Sequence, residues 1–338
     1  EAQNNAMDDV IHIAQGTYVG NFVYASTEEN DLSILGGYSA DFSSRDVDAT
    51  NTILDGAGAS RVLTLMSSST VCDYGIEGLT VQNGDALTEI VGGGIAIRTL
   101  GDVSISSNHI VNNFGGSGGG VFIVSSNNSS VELNNNTISN NSTASSSSVN
   151  GGGGVYIVYG NPVLSNNEIS NNSSGGPYGG GGVWIGFTDA ILINNVISGN
   201  YATHTSYSLE DNGGGGVNVV NGSLVMTGNT IVDNFASLYG GGINWNPLSE
   251  SQTATIENNI ILYNTTEQST RGDDISITND SNNDYISSTV TLNNNNFDQS
   301  ANGIYVQRPF VIDASNLNNI NPLFVDSANG DYRLSSDS

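Results

Sequence analysis

Lysine is absent from the 338 residues, and the only cations are six arginines, Arg45, Arg61, Arg98, Arg271, Arg308 and Arg333, against 33 Asp plus Glu. The formal net charge is −27. No lysine is available for a Schiff base, a phosphate loop or a basic groove, and such a surface repels nucleic acid and acidic headgroups. Neither is expected as a partner. Cysteine occurs once, so no internal disulfide forms; Cys72, in Thr70-Val71-Cys72-Asp73, reads as a small buried apolar residue. No apolar run approaches the roughly 18 to 20 residues that a membrane-spanning helix requires, so no span is expected. Proline is also scarce, at five residues.

What the chain does have is glycine, at 43 residues, with asparagine and serine throughout. These supply turn chemistry at short intervals and disfavour long helices. Ile, Val, Leu and Phe make up about a quarter of the chain, above the roughly one-fifth below which a highly charged sequence stays disordered. A core can form, and almost no helix is expected.

Internal repeats decide the fold. A glycine run followed by an apolar-x-apolar triplet occurs six times, at Gly94-Ile95-Ala96-Ile97, Gly120-Val121-Phe122-Ile123, Gly154-Val155-Tyr156-Ile157, Gly182-Val183-Trp184-Ile185, Gly216-Val217-Asn218-Val219 and Gly242-Ile243-Asn244-Trp245. A second phrase, Asn-x-apolar, alternates with it: Asn108-His109-Ile110, Asn136-Thr137-Ile138, Asn167-Glu168-Ile169, Asn195-Val196-Ile197, Asn229-Thr230-Ile231, Asn259-Ile260-Ile261 and, more loosely, Asn295-Asn296-Phe297. Strands this short cannot pair within one unit and must stack on the next, which gives a parallel β-solenoid with inward columns of Ile, Val and Leu. Insertions such as residues 142–150 can leave the coil as loops. Asparagine at these positions is expected to take the left-handed corner conformation and to bond its equivalent about 4.8 Å away. The same phrase yields glycosylation-type tripeptides, as at Asn141 and Asn172, which turn chemistry already explains.

The chain resembles the secreted right-handed parallel β-helix superfamily, and its glycine and Asn-x-Ile alternation is similar to repeats of polymorphic outer-membrane and autotransporter-type surface proteins. Gly36-Gly37-Tyr38 and Ile53-Leu54-Asp55-Gly56 resemble that superfamily's first coils; Asn321-Pro322-Leu323-Phe324-Val325-Asp326 and Gly330-Asp331-Tyr332-Arg333-Leu334 resemble its closing segment. The resemblance implies an all-β fold, one right-handed β-helix with loop insertions over residues 1–338, and the stretch from Val10 to Phe324, at roughly 30 residues a coil, leaves room for about ten coils. N-terminal coils would occupy residues 1–90, glycine and asparagine coils 91–300 and a closing segment 301–338. It also implies secretion or display at a cell surface, and residues 1–6 read as the trimmed edge of a secreted precursor. Strands Val10-Ile11-His12-Ile13 and Leu32-Ser33-Ile34-Leu35 would open the solenoid, and bare strand edges at its ends would invite end-to-end pairing into filaments.

The scaffold itself is compatible with lyases, hydrolases and inert surface proteins. Resemblance to pectate-type lyases would imply a catalytic Arg or Lys beside acidic calcium ligands, and to polygalacturonases paired Asp with Gly-His-Gly and Arg-x-Lys phrases; neither set occurs. His12, His109 and His204 lie far apart and read as exposed. The run before Val121 lacks the lysine and helix of a phosphate loop, and Arg271-Gly272-Asp273 matches a cell-attachment tripeptide only in three letters. No cofactor is required. Calcium is the one metal the composition invites, through Glu28, Glu29 and Asp31, through Asp41, Asp46 and Asp48, through Glu210 and Asp211, and above all through Asp273 and Asp274.

Binding is the favoured activity. Period two sends the middle residue of each triplet outward, so Phe122, Tyr156 and Trp184 are expected to form an exposed aromatic strip, with Tyr159 and Phe187 beside it. Such a strip suits a carbohydrate, another protein surface or a second copy; cover by the chain's own loops is the alternative. The expectation is a structural or adhesive solenoid acting by binding or self-assembly, with a carbohydrate-active lyase or hydrolase on the same fold as the other reading.

Overall fold

The computed structural model describes residues 7–67, 69–86, 91–144, 151–203, 213–268, 270–278, 288–307 and 311–338. Three parallel sheets run its length. Sheet I has ten strands, from Asp9–Ala14 to Thr289–Asn293; sheet II has eleven, from Gly16–Val19 to Leu317–Asn318; sheet III has ten, from Phe22–Ala25 to Ile304–Val306. A narrow sheet IV of six two-residue strands, Phe114–Gly115 to Thr265–Thr266, joins II to III in the middle coils. Each strand of these four sheets pairs in parallel with its counterpart one coil away, so the chain is a parallel β-solenoid; Phe324–Asp326 and Asp331–Leu334 form a closing antiparallel hairpin. Two 3-10 turns, Ala49–Asn51 and Ser327–Asn329, are the only helical pieces among the described residues.

Alternation explains which side chains fill the interior. In sheet I, Ile34, Ile76, Ile105, Leu133, Leu164, Leu192, Met226, Ile256 and Leu292 stand in register and are all buried. Each such side chain contributes roughly 1.5 to 3 kcal/mol of apolar burial. Sheet III adds the flanking residues of the glycine triplets, such as Val155 and Ile157, also fully buried. The first coil is barer: Ile11, Ile13, Tyr18 and Phe22 line a recess of about 330 Å³ at that end.

Two corners are pinned by asparagine. At the turn from sheet I to sheet II, Asn108, Asn136, Asn167, Asn195, Asn229, Asn259, Asn295 and Asn316 form one buried column; at the turn from II to IV, Asn113, Asn141, Asn172, Asn200, Asn234 and Asn264 form another. After the first member of each column, where Asn108 and Asn113 accept the backbone N–H of Leu79 and Gly84, each Oδ1 accepts both the backbone N–H and the Nδ2 of the asparagine one coil earlier. For Asn136 on Asn167 these bonds are 2.9 and 3.0 Å. The remaining Nδ2 hydrogen goes to a strand carbonyl, as from Asn136 to Ile105 at 2.8 Å. The ladder was expected; its backbone conformation was not. The left-handed residue is the one before, at Ser107, Asn135, Asn166, Asn194, Gly228, Asn258 and Asn294, with φ from 54° to 70°. Corner bending and interior bonding are therefore divided between two adjacent residues.

The glycine runs form the corner from IV to III. Gly92, Gly118, Gly152, Gly180, Gly214, Gly240 and Gly272 lead it, with φ between 55° and 76°. Seven turns thus carry the regular repeat, so about ten is somewhat high; less regular coils precede them. The third glycine is fixed by the asparagine column. A Cβ on Gly182 would stand 2.7 Å from the Gly216 carbonyl oxygen and 3.1 Å from the Asn200 amide.

Gly182→Ala is therefore expected to cost about 1 to 3 kcal/mol, and Asn172→Ala, which strands buried donors on Asn141, about 2 to 4 kcal/mol, read as lowered denaturation midpoints. Asn135→Ala, at a left-handed position outside the ladder, should cost less than Asn172→Ala.

Candidate functional site

The aromatic column on the outer side of sheet III exists, but it is not exposed. Phe122, Tyr156 and Trp184 stand in register, with ring centroids 5.5 and 4.3 Å apart and planes within 8° of parallel. They retain only 4%, 9% and 2% of their accessible surface. Alternation does send them out of the central core, but the glycine corners double back above them. A Cβ on Gly152 would lie 2.9 Å from that of Tyr156, and one on Gly180 would lie 2.8 Å from that of Trp184. Tyr178 closes on Trp184, Arg98 stacks over Phe122 at 5.1 Å, and the indole lies across Gly186. Burial pushes the Tyr156 hydroxyl up to about 12. The expected binding strip is a second, external core, the self-covered alternative.

Farther up the same column the side chains become polar. Asn218 and Asn244 are fully buried and bond each other at 3.0 Å, and Asn218 donates to the Tyr178 carbonyl at 2.6 Å. The Trp184 indole N–H, by contrast, is buried without a hydrogen-bond partner.

Tyr159 and Phe187 behave differently. They sit at the corner from sheet III to sheet I, 39% and 49% exposed, with ring centroids 6.0 Å apart. Both have left-handed backbones, φ 63° and 62°, a conformation that disfavours bulky side chains; the next coil places Asn221 there at φ 55°. Of the five aromatics, these two remain on the surface.

They stand two and three residues before the sheet I strands Asn161–Ser165 and Ala190–Ile193, which carry a second apolar feature. On the outer side of sheet I, Val163, Ile191 and Val225 stand in register, with Ile193 alongside. Ile191, Ile193 and Val225 are exposed and Val163 is half-buried. The signal was legible: Val163-Leu164, Ile191-Leu192-Ile193 and Leu224-Val225-Met226 put apolar residues at both parities, where Ser104 and Glu132 keep the outer position polar in earlier coils. Sheet II treats its equivalent differently: outward-facing Val232 and Leu262 are buried, and the closing hairpin ties down here through Tyr332, whose hydroxyl donates to Asp233 at 3.0 Å.

Asp273 and Asp274 do not gather around a common point. Asp273 accepts from the backbone N–H and hydroxyl of Thr266 at 2.8 and 2.6 Å. Asp274 stands where earlier coils have the third glycine, and its carboxylate fills the place of a missing ladder asparagine. Its Oδ1 accepts from Asn264 Nδ2 at 2.9 Å, and its Oδ2 from the Asp298 backbone N–H at 2.8 Å. Burial pushes its pKa up to about 7. No group of three or more His, Cys, Asp or Glu suited to a metal forms among the described residues.

Asp41 and Asp48 hold the backbone of their own turns. Asp41 accepts from Ser39 and Ser43, which lower its pKa to about 2, and Asp48 caps the 3-10 turn through Thr50. An aspartate column went unrecognised: Asp31, Asp73 and Asp102 each precede a strand of sheet I, and each accepts the backbone N–H of the next coil, at 2.8, 2.7 and 2.7 Å. The recurrence of Asp31-Leu32-Ser33-Ile34, Asp73-Tyr74-Gly75-Ile76 and Asp102-Val103-Ser104-Ile105 carried that signal. The column borders a recess of about 340 Å³ with Ser33, Ser104 and Glu132, and burial followed by the neighbouring carboxylates raises the pKa of Asp73.

Arg271 of the Arg-Gly-Asp tripeptide stacks on Tyr239 and Tyr305 and bonds the Tyr239 hydroxyl. Cys72 is buried, and Asn141 and Asn172 direct their amides inward. His12 is exposed and stacked on Tyr38; His109 is half-buried. His204, Glu210, Asp211 and residues 145–150 lie outside the described residues. No protein-family model, curated protein or solved structure matches this chain.

Trp184→Ser should lower stability by about 3 kcal/mol, whereas Trp184→Phe, which keeps the stack and removes the unpaired N–H, should be near neutral; thermal melts separate them. A carboxyl whose pKa is raised by folding binds its proton more tightly in the folded chain. Asp274 therefore contributes most below the ordinary value of 3.8 and loses that contribution as pH rises through about 7. Asp274→Asn should flatten the decline in melting temperature between about pH 4 and pH 8 relative to the parent chain.

Proposed function

We propose that this chain is an extracellular or cell-surface solenoid with a structural and adhesive role, acting by binding along its lateral surface and not by catalysis. The observation that carries this reading is the exposed pair Tyr159 and Phe187, held beside the open aliphatic row of sheet I. Left-handed backbone at a large aromatic residue costs on the order of 1 kcal/mol, and asparagine serves the same corner one coil later. Two rings kept there in spite of that cost, and kept in solvent, fit selection for contact with something outside the chain. The side chains that would otherwise suggest chemistry are engaged in structure, as the ladder asparagines and Asp31, Asp73 and Asp102 illustrate. The secreted setting follows the family resemblance of the sequence.

Replacing both residues with asparagine, Tyr159→Asn with Phe187→Asn, is expected to maintain or raise the melting temperature while abolishing retention on arrayed surface glycans and extracellular proteins. Retention equal to that of the parent chain, with the fold intact, overturns the reading.

A further inference from the structure

The outer side of sheet I is chemically lopsided. None of its ten strands contains an arginine, and lysine is absent throughout, whereas Glu77, which Arg45 pairs at 2.6 Å, and Glu132 and Glu257 lie at outward positions in them. The aliphatic row is bracketed by acid: Glu132 stands immediately before Val163 in the same column, exposed Asp189 precedes the strand that carries Ile191, and Glu257 closes the strand after Val225. Three residues in register span about 10 Å along the axis, room for a few apolar side chains. Elsewhere the molecule covers part of its outer apolar surface: glycine corners lie over Phe122, Tyr156 and Trp184 on sheet III, and Val232 and Leu262 on sheet II are buried, whereas Val19, Val23 and Met66 of the first coils are exposed.

We propose that this face docks a cationic polypeptide segment, apolar at its centre and flanked by arginines. The apolar centre lies on Val163, Ile191 and Val225. The flanking guanidinium groups meet Glu132, Asp189 and Glu257 and stack on Tyr159 and Phe187. β-branched aliphatic residues on a flat sheet offer close packing to apolar side chains, whereas a sugar ring is better matched by aromatic planes alone. Charge complementarity selects a cationic partner from among polypeptides, because an anionic one would meet carboxylates with no counter-charge on these strands. The guanidinium-on-ring contact has internal precedent in Arg45 over Tyr38, Arg98 over Phe122 and Arg271 over Tyr239. This inference rests on the lateral-binding reading and names the partner class for it.

The test uses the whole chain and three synthetic peptides: arginines flanking a Val-Leu-Val centre, the same arginines flanking a Ser-Ser-Ser centre, and glutamates flanking Val-Leu-Val. The charge-neutral double variant Ile191→Ser with Val225→Ser, verified as folded by its melt, is measured in parallel. The first peptide is expected to bind at least about tenfold more tightly than either other, to weaken with added salt, and to lose about tenfold on the double variant. Equal binding of the serine-centred peptide, or no change on the double variant, reduces the effect to diffuse attraction by a charge of −27 and overturns the proposal. If no peptide binds while glycan retention still depends on Tyr159 and Phe187, the proposal falls and the lateral-binding reading stands. If neither occurs, both fall.

Discussion

An asparagine amide that bonds its own counterpart one coil away is the interaction on which the remainder of the structure depends. A parallel stack of short strands leaves its corners as the weak point, because a turn presents backbone donors and acceptors that no neighbouring strand meets. The two buried columns satisfy those groups with one side chain type, which donates twice and accepts twice. Asn141 shows the complete set: backbone and side-chain donors to Asn172, a third donor to Ile110, and acceptance from Asn113. Such a network is strong when complete and costly when interrupted, since the freed groups lie in a low-dielectric interior.

Several other features follow from giving the columns room. The third glycine of each run is small because a side chain there would overlap the asparagine amide, and Asp274 occurs where the column runs out of asparagine. Of the two adjacent acidic residues, Asp274 ends the column and Asp273 holds Thr266. The glycine corners that make this space also fold over sheet III, and so bury the aromatic stack that the strand pattern directs outward. One set of small residues thus determines both the ladder and the external core. The same corners leave sheet I uncovered, so its outer surface retains the character written by its own residues.

Much of this was legible in the sequence, and what was not has identifiable causes. The alternation of Gly-led triplets with Asn-x-Ile fixed the parallel stack and the inward residues, because period two and the repeat length leave no other way to bury them. The same alternation misplaced Phe122, Tyr156 and Trp184, since it states which side of a sheet a residue faces and not whether something lies above it. Asn135 and Asn136 are indistinguishable by letter, yet one bends the backbone and the other bonds the interior; only register separates them. The row of Val163, Ile191 and Val225 depends on the same information: the sequence puts apolar residues at both parities there, and strand pairing determines which of them face solvent.

Side-chain amide exchange tests this account most directly, because it addresses the two asparagines of each corner separately. In a nitrogen-15 spectrum resolving individual asparagines, the Nδ2 protons of Asn136, Asn141, Asn167, Asn172 and Asn195 should be strongly protected from exchange with deuterated water, while those of the adjacent Asn135, Asn140 and Asn171 exchange rapidly. Equal, rapid exchange of both sets would contradict the ladders, and with them the stacked coils that leave one face open.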